Sequence, residues 1–286
     1  MRTAVVTDTN SGIYEAEGRE IGVFVVPMPI IVGEETYYEG QTITREHFFE
    51  LLAGELPVRT SQPAPGDVMA LWDRVLESYE ELVYIPMSGG LSSSVSSALL
   101  LAGDYDGRVQ VVDNHRISVT MRHSVLDALS LVEQGKSAAE IKRILEENAY
   151  ESTIFLGVET LQYLKRGGRV SSTAAAIGTI LSIKPLLIIR GEKLEPFANV
   201  RGSRNCRKRE LEEMQKVAEE FRERGLKIRI GVAGSFAHEE DAADWVKMAE
   251  EAFPGEEIHY DPLSYSVCCH TGPDAFGMGI SARLAG

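Results

Sequence analysis

Four short segments carry residue types that a hydrophobic core does not need. Thr60-Ser61-Gln62-Pro63-Ala64-Pro65-Gly66 sets two hydroxyls ahead of rigid prolines and a helix start, where main-chain N–H groups lack partners. The same pattern also makes an ordinary capped junction between a loop and a helix. Ser88-Gly89-Gly90-Leu91-Ser92-Ser93-Ser94 combines glycines that let a ligand approach the backbone with more hydroxyls than a cap requires, which predicts an anion site. Lys165-Arg166-Gly167-Gly168-Arg169 reads as a loop between helices. Its Arg169 suits a forked contact with a carboxylate or phosphate, and suits a structural ion pair equally well. In Cys269-His270-Thr271-Gly272-Pro273-Asp274, a tight loop fixes an imidazole, with a satisfied surface histidine as the simpler alternative.

Two chemistries follow from these groups. One is a binding site for an anionic head group. The other is a serine-dependent acyl hydrolase or transferase with Ser92 as nucleophile and His270 as base, in which Asp8 or Asp113 would have to orient the imidazole. The glycine-serine string is similar to the SGGxDS loop of ATP pyrophosphatases but has Ser92 in place of the aspartate, and the G-x-S-x-G elbow of α/β hydrolases is absent. No spacing of His, Cys and carboxylates suits a metal, so neither a metal nor a cofactor is expected.

The scaffold that positions these segments has 286 residues, enough for about two domains at roughly 150 residues each. Its 29 basic and 43 acidic residues leave a net charge of −14, which opposes nucleic-acid binding because a phosphate backbone needs a basic stripe. Cys206 and the adjacent Cys268-Cys269 make a poor disulfide framework and read as buried thiols. The apolar run at Met1–Thr7 is too short for a signal peptide, and the run from Ile21 to Val32 is broken by Gly22, Pro27 and Pro29. A cytoplasmic protein without stable membrane insertion is therefore expected.

Short apolar runs alternate with amphipathic ones, which predicts an α/β fold. Strands are expected at Thr3–Thr7, Val23–Val26, Leu82–Pro86 and Arg108–Val112. A helix opens at Pro65-Gly66 with Val68, Leu71, Trp72 and Val75 on one face, and Ser137 with Glu140 forms a capping box. This makes an N-terminal domain, 1–151, with a mostly parallel sheet. From 152 to 286 the pattern changes to an α+β domain. It has a strand at Thr153–Val158, a small-residue helix at Ala174–Leu181, and a hairpin of Pro185–Arg190 and Lys193–Val200 about Gly191-Glu192. A long charged helix follows at Arg204–Arg224.

Taken in order, Thr7-Asp8-Thr9-Asn10-Ser11, Thr60-Ser61-Gln62-Pro63, Gly90-Leu91-Ser92, Val111-Val112-Asp113, Leu164 to Val170, Ile183-Lys184-Pro185, Val200-Arg201 and His270-Thr271-Gly272-Pro273 span essentially the whole chain. This ordered set resembles the DegV family of bacterial fatty-acid-binding proteins, which includes the FakB subunits of fatty-acid kinase. The resemblance implies a two-domain fold with one long-chain fatty acid between the domains. It also implies carboxylate recognition by Thr60, Ser61 and Ser92, with Arg169, His270 and Thr271 in or beside the same polar network. Gly89 stands where the family often has a second serine, Asp274 where glycine is common, and Asn114-His115-Arg116 replaces a small polar run.

The resemblance further implies a substrate-presenting subunit rather than an enzyme, with a separate kinase that phosphorylates the bound carboxylate. The physics is consistent with this role. Burying about fourteen methylenes contributes roughly 11 kcal/mol before association costs, whereas a buried carboxylate needs hydrogen-bond donors. The cluster Arg201, Arg204, Arg207, Lys208 and Arg209 is either a docking face for an acidic partner or a solvated helix face.

Overall fold

Thr3 to Thr7 is apolar enough to be covered on both faces, as an inner parallel strand must be. It forms β1 (Thr3–Asp8), which joins β2 (Val23–Val26), β6 (Glu81–Ile85) and β7 (Val109–Val111) in a parallel sheet of order β2-β1-β6-β7. The computed structural model describes residues 2–170, 182–190 and 193–284. Helices α3 (Pro65–Leu76) and α4 (Ser94–Ala102) cover one face of this sheet, with Trp72 and Val75 packed in a core with Val6 and Tyr84. Helices α5 (Ser118–Glu133) and α6 (Ala138–Glu147) cover the other, and the Ser137–Glu140 capping box is formed.

A second, mostly antiparallel sheet comprises β8 (Ser152–Gly157), β9 (Ile183–Ile189), β10 (Glu195–Arg201), β11 (Ile228–Gly234), β12 (Ile258–Pro262) and β13 (Phe276–Ala282). Its order is β10-β9-β8-β13-β11-β12, with β11 and β12 parallel. The charged helix α8 (Ser203–Glu223) and α9 (Glu239–Ala252) cover its outer face through Met214, Phe221 and Trp245. The expected β9–β10 hairpin is present. Its turn at 191–192 and the Ala174–Leu181 helix lie outside the described residues.

The sheets share helix α5. Its first turn presses so closely on the second sheet that a Cβ at Gly231 would lie 2.6 Å from Val119, and one at Gly279 2.7 Å from it. No side chain fits there. Farther along, the Arg122 guanidinium forks onto Asp261 of β12, at 2.7 and 3.0 Å, and reaches Glu17 on α1 (Glu15–Ile21).

A third, antiparallel sheet of order β4-β3-β5 was not anticipated from the sequence. It comprises β3 (Pro29–Val32), β4 (Glu35–Tyr38) and β5 (Val58–Thr60), with helix α2 (Arg45–Ala53) between β4 and β5 in the chain. The segment from Lys165 is also corrected. Lys165, Arg166 and Gly167 are the last turn of helix α7 (Gln162–Gly167), not a loop, because the apolar contacts of Leu164 carry the helix on to the diglycine. All three cysteines are buried and unbridged.

Candidate ligand cavity

Between the sheets lies a cavity of about 410 Å³, a size typical of small-molecule sites. The six residues singled out from the sequence, Thr60, Ser61, Ser92, Arg169, His270 and Thr271, all line it. They arrive from four places in the chain. Thr60 ends β5, which is held by pairing with Ile30 on β3. Ser92 lies in the turn before α4, and Arg169 follows α7. His270 and Thr271 form the end of helix α10 (Tyr265–Thr271).

Helix α10 replaces the tight loop expected around His270. Seven residues of modest helix propensity hold this shape because both ends are anchored. At the start, Ser264 Oγ accepts from Val267 N–H at 3.3 Å, Ser264 and Ser266 donate to Asn10 Oδ1, and Tyr265 N–H donates to the buried Glu39 carboxylate. Burial raises Glu39 to about 7, and likewise raises Asp8, which accepts from Asn10 and Met87 N–H groups, to about 6. At the other end, His270 Nε2 meets Thr60 Oγ1 at 2.8 Å.

That contact sets the chemistry of the polar end. Burial, with the nearby Arg169 and Arg166 guanidiniums, lowers the His270 pKa to about 4, so the ring is neutral at physiological pH. Its Nδ1 is buried without a hydrogen-bond partner among the described residues. An orphaned acceptor is better tolerated than an orphaned N–H, so the proton belongs on Nε2. Nε2–H then donates to Thr60, whose own hydroxyl proton is left to point into the cavity. Nitrogen NMR of the His270 ring is expected to show the Nε2–H form with no titration step between about pH 8 and pH 5. A step near the ordinary histidine value would contradict this assignment.

Gly167 makes room for the ring, since a Cβ there would lie 2.1 Å from His270 Nδ1. Gly167→Ala is therefore expected to displace His270 and break its bond to Thr60, detectable as a return of the His270 pKa toward about 6.5.

The other hydroxyls contribute unequally. Ser92 Oγ accepts from Ser94 N–H, the first of α4, at 3.2 Å and shares a 2.8 Å hydrogen bond with Ser94 Oγ, while also facing the cavity. Ser61 donates to Gln62 O at 3.0 Å and Thr271 to Gly272 O at 3.3 Å, which commits both protons to the main chain. Arg169 makes no ion pair to a carboxylate among the described residues. Its Nε donates to Leu91 O at 3.3 Å and its Nη1 to Gly167 O, tying the end of α7 to the serine turn.

The hydrolase arrangement is not formed. His270 Nε2 is paired with Thr60 rather than Ser92, and Asp8 and Asp113 hold main-chain N–H groups of Asn10, Met87, Gly89 and His115. The basic cluster is also smaller than its sequence suggested. Arg207 stacks over Phe236 and Phe276, and Arg209 pairs with Glu213 within α8. Among the described residues no group of His, Cys, Asp and Glu is placed to hold a metal, and no helix is long and apolar enough to cross a membrane.

Most of the remaining wall is apolar, as a hydrocarbon tunnel requires, but its residues could not be assigned from the sequence: Ile117 and Val119 before and on α5, Ile154 and Leu156 on β8, Leu263, and the small Ala233 and Gly277. A signal was present, since Phe276-Gly277-Met278-Gly279-Ile280 alternates large and small, as a strand does when one face is packed and the other approached closely.

Fold and site together define a class: α/β proteins whose sheets enclose a mostly apolar cavity with hydroxyls and an imidazole gathered on its wall. A model of the DegV family of uncharacterised proteins matches residues 2–283. The chain belongs to the DegV family. A DegV domain-containing protein of Deinococcus radiodurans is 30% identical over 287 residues, covering 100% of each chain. Among solved structures, a fatty-acid-binding DegV family protein from Thermus thermophilus superimposes with a TM-score of 0.87 at 31% identity, covering 99% of this chain and 100% of that one. DegV of Bacillus subtilis, described as a fatty acid binding protein, gives 0.85 at 27% identity, covering 99% and 100%.

Proposed function

We propose that this chain binds one long-chain fatty acid between residues 1–151 and 152–286 and presents it to a separate kinase that forms an acyl phosphate. The observation that carries this reading is the uneven polarity of the cavity. Hydroxyls, Arg169 and a neutral His270 gather where β5, the serine turn and α10 meet, and the rest is mostly hydrocarbon, with Asn10, Ser118 and Ser266 as polar exceptions. A carboxylate there receives the Thr60 proton, with the Arg169 charge nearby, while methylenes fill the apolar remainder. The relatives that bind fatty acids support the same assignment. The protein itself performs no turnover in this reading.

Native mass spectrometry of the purified protein, followed by extraction, tests the first part. One bound acid of about fourteen to eighteen carbons is expected, the size whose burial drives tight binding. A protein that is empty and takes up no added acid would overturn the proposal. Thr60→Val is expected to weaken binding about 10- to 100-fold, the usual cost of removing a donor from a charged acceptor. For the second part, loaded protein with ATP should yield acyl phosphate only when a fatty-acid kinase is added.

A further inference from the structure

We propose that Gly277 and Ala233 give the cavity a recess that favours a hydrocarbon chain widened part-way along, by a cis bend or a methyl branch, over a straight one. This rests on the fatty-acid reading above and adds to it the class of acid.

Strand register carries the inference. β13 pairs with β11 so that Gly277 lies beside Ala233 and Gly279 beside Gly231. On the other side, β8 sets Leu156 beside Gly277 and Ile154 beside Gly279. The alternating residues Phe276, Met278, Ile230 and Val232 are packed in the outer core with α8 and α9, so this set faces inward. The inward face thus holds a two-by-two patch with no side chain larger than one methyl, walled on one side by Leu156 and Ile154. Helix α5 fills half of the patch, because Val119 sits directly on Gly231 and Gly279. The other half is left open, and Ala233 and Gly277 line the cavity together with Val119. From the outer side, Trp245 Nε1 donates to Gly277 O at 3.3 Å, which holds the bare strand in place.

A straight saturated chain keeps one width along its length, so a recess beside it leaves contacts unmade. A cis double bond or a methyl branch widens the chain at one place and fills the space. Each methylene-sized volume gained or lost corresponds to about fourfold in affinity.

The test is competition of three eighteen-carbon-class acids against a fluorescent fatty acid: straight saturated, cis-monounsaturated and mid-chain methyl-branched. The wild type is expected to bind at least one of the latter two about fivefold more tightly than the straight acid, and the better of them identifies the form the recess suits. Ala233→Val, which fills the recess, should weaken binding of the wider acid about tenfold relative to the straight one. Gly277→Ala provides a second fill, smaller in volume but tight, since its Cβ would lie 3.0 Å from Phe155 O, which must give slightly, and 3.4 Å from Leu156 Cδ1. Equal affinities in the wild type would overturn the proposal, as would folded variants that weaken all three acids alike. Failure of the wild type to take up any of the three overturns the fatty-acid reading instead.

Discussion

Arg122→Met should destabilise the protein by about 3–5 kcal/mol, the usual cost of removing one partner from a buried ion pair. Only 7% of the Arg122 side chain and 5% of the Asp261 side chain are exposed, so Asp261 would be left as a buried charge without its forked partner. His259 Nε2 at 3.0 Å from Asp261 Oδ1 compensates poorly, because it carries charge only when protonated. The pair joins α5 to β12, and Glu17 extends it to α1, so the loss falls where the two sheets meet. Chemical denaturation measures the effect, and Asp261→Asn added to Arg122→Met should recover much of it by removing the stranded charge. A cost below about 1 kcal/mol would place this pair among screened surface bridges instead.

Glu210→Met should act in the opposite direction, stabilising by about 1–3 kcal/mol, the usual penalty of a buried polar group whose hydrogen bonds are not made. Glu210 is fully buried in α8, and neither carboxyl oxygen completes a hydrogen bond among the described residues. Burial raises its pKa well above the ordinary value, although the Met278 main chain and the Arg207 guanidinium favour the charge. The native state therefore keeps a proton that the unfolded chain releases near pH 4.5. Stability then falls as pH rises from there toward the native pKa, by up to about 1.4 kcal/mol per pH unit. Glu210→Met removes that slope. Equal pH dependence in wild type and variant, followed by thermal melts from pH 5 to about pH 8, would show that Glu210 is solvated or paired after all.

Elements whose own residues supply the driving force were readable from the sequence. β1, β2 and β6 are apolar runs, α3 has a proline start and a regular apolar face, and α6 has its capping box. β3, β4 and β5 are three or four residues each and exist because they pair with one another, a stabilisation no single segment encodes. Helix α10 is similar, because its shape depends on Asn10 and Glu39, more than 200 residues away in the chain. The polar side of the cavity could be read for a simpler reason: two serines, two threonines, an arginine and a histidine stood beyond what caps and turns require. The cavity itself could not. It is a space where side chains are missing, and Ala233 faces it beside Gly277 only because of the β11–β13 register.

The central place of β13 also constrains how the protein is made. β13 lies between β8 and β11, yet the ribosome produces it after both. Until it emerges, the nascent chain holds two unpaired strand edges, each open to pairing with another polypeptide. The strand that closes this gap also brings Gly277 to the cavity floor. Completion of the cavity and closure of the second sheet are therefore one event, so a chain stalled before residue 276 would present sticky edges to chaperones around an unfinished cavity.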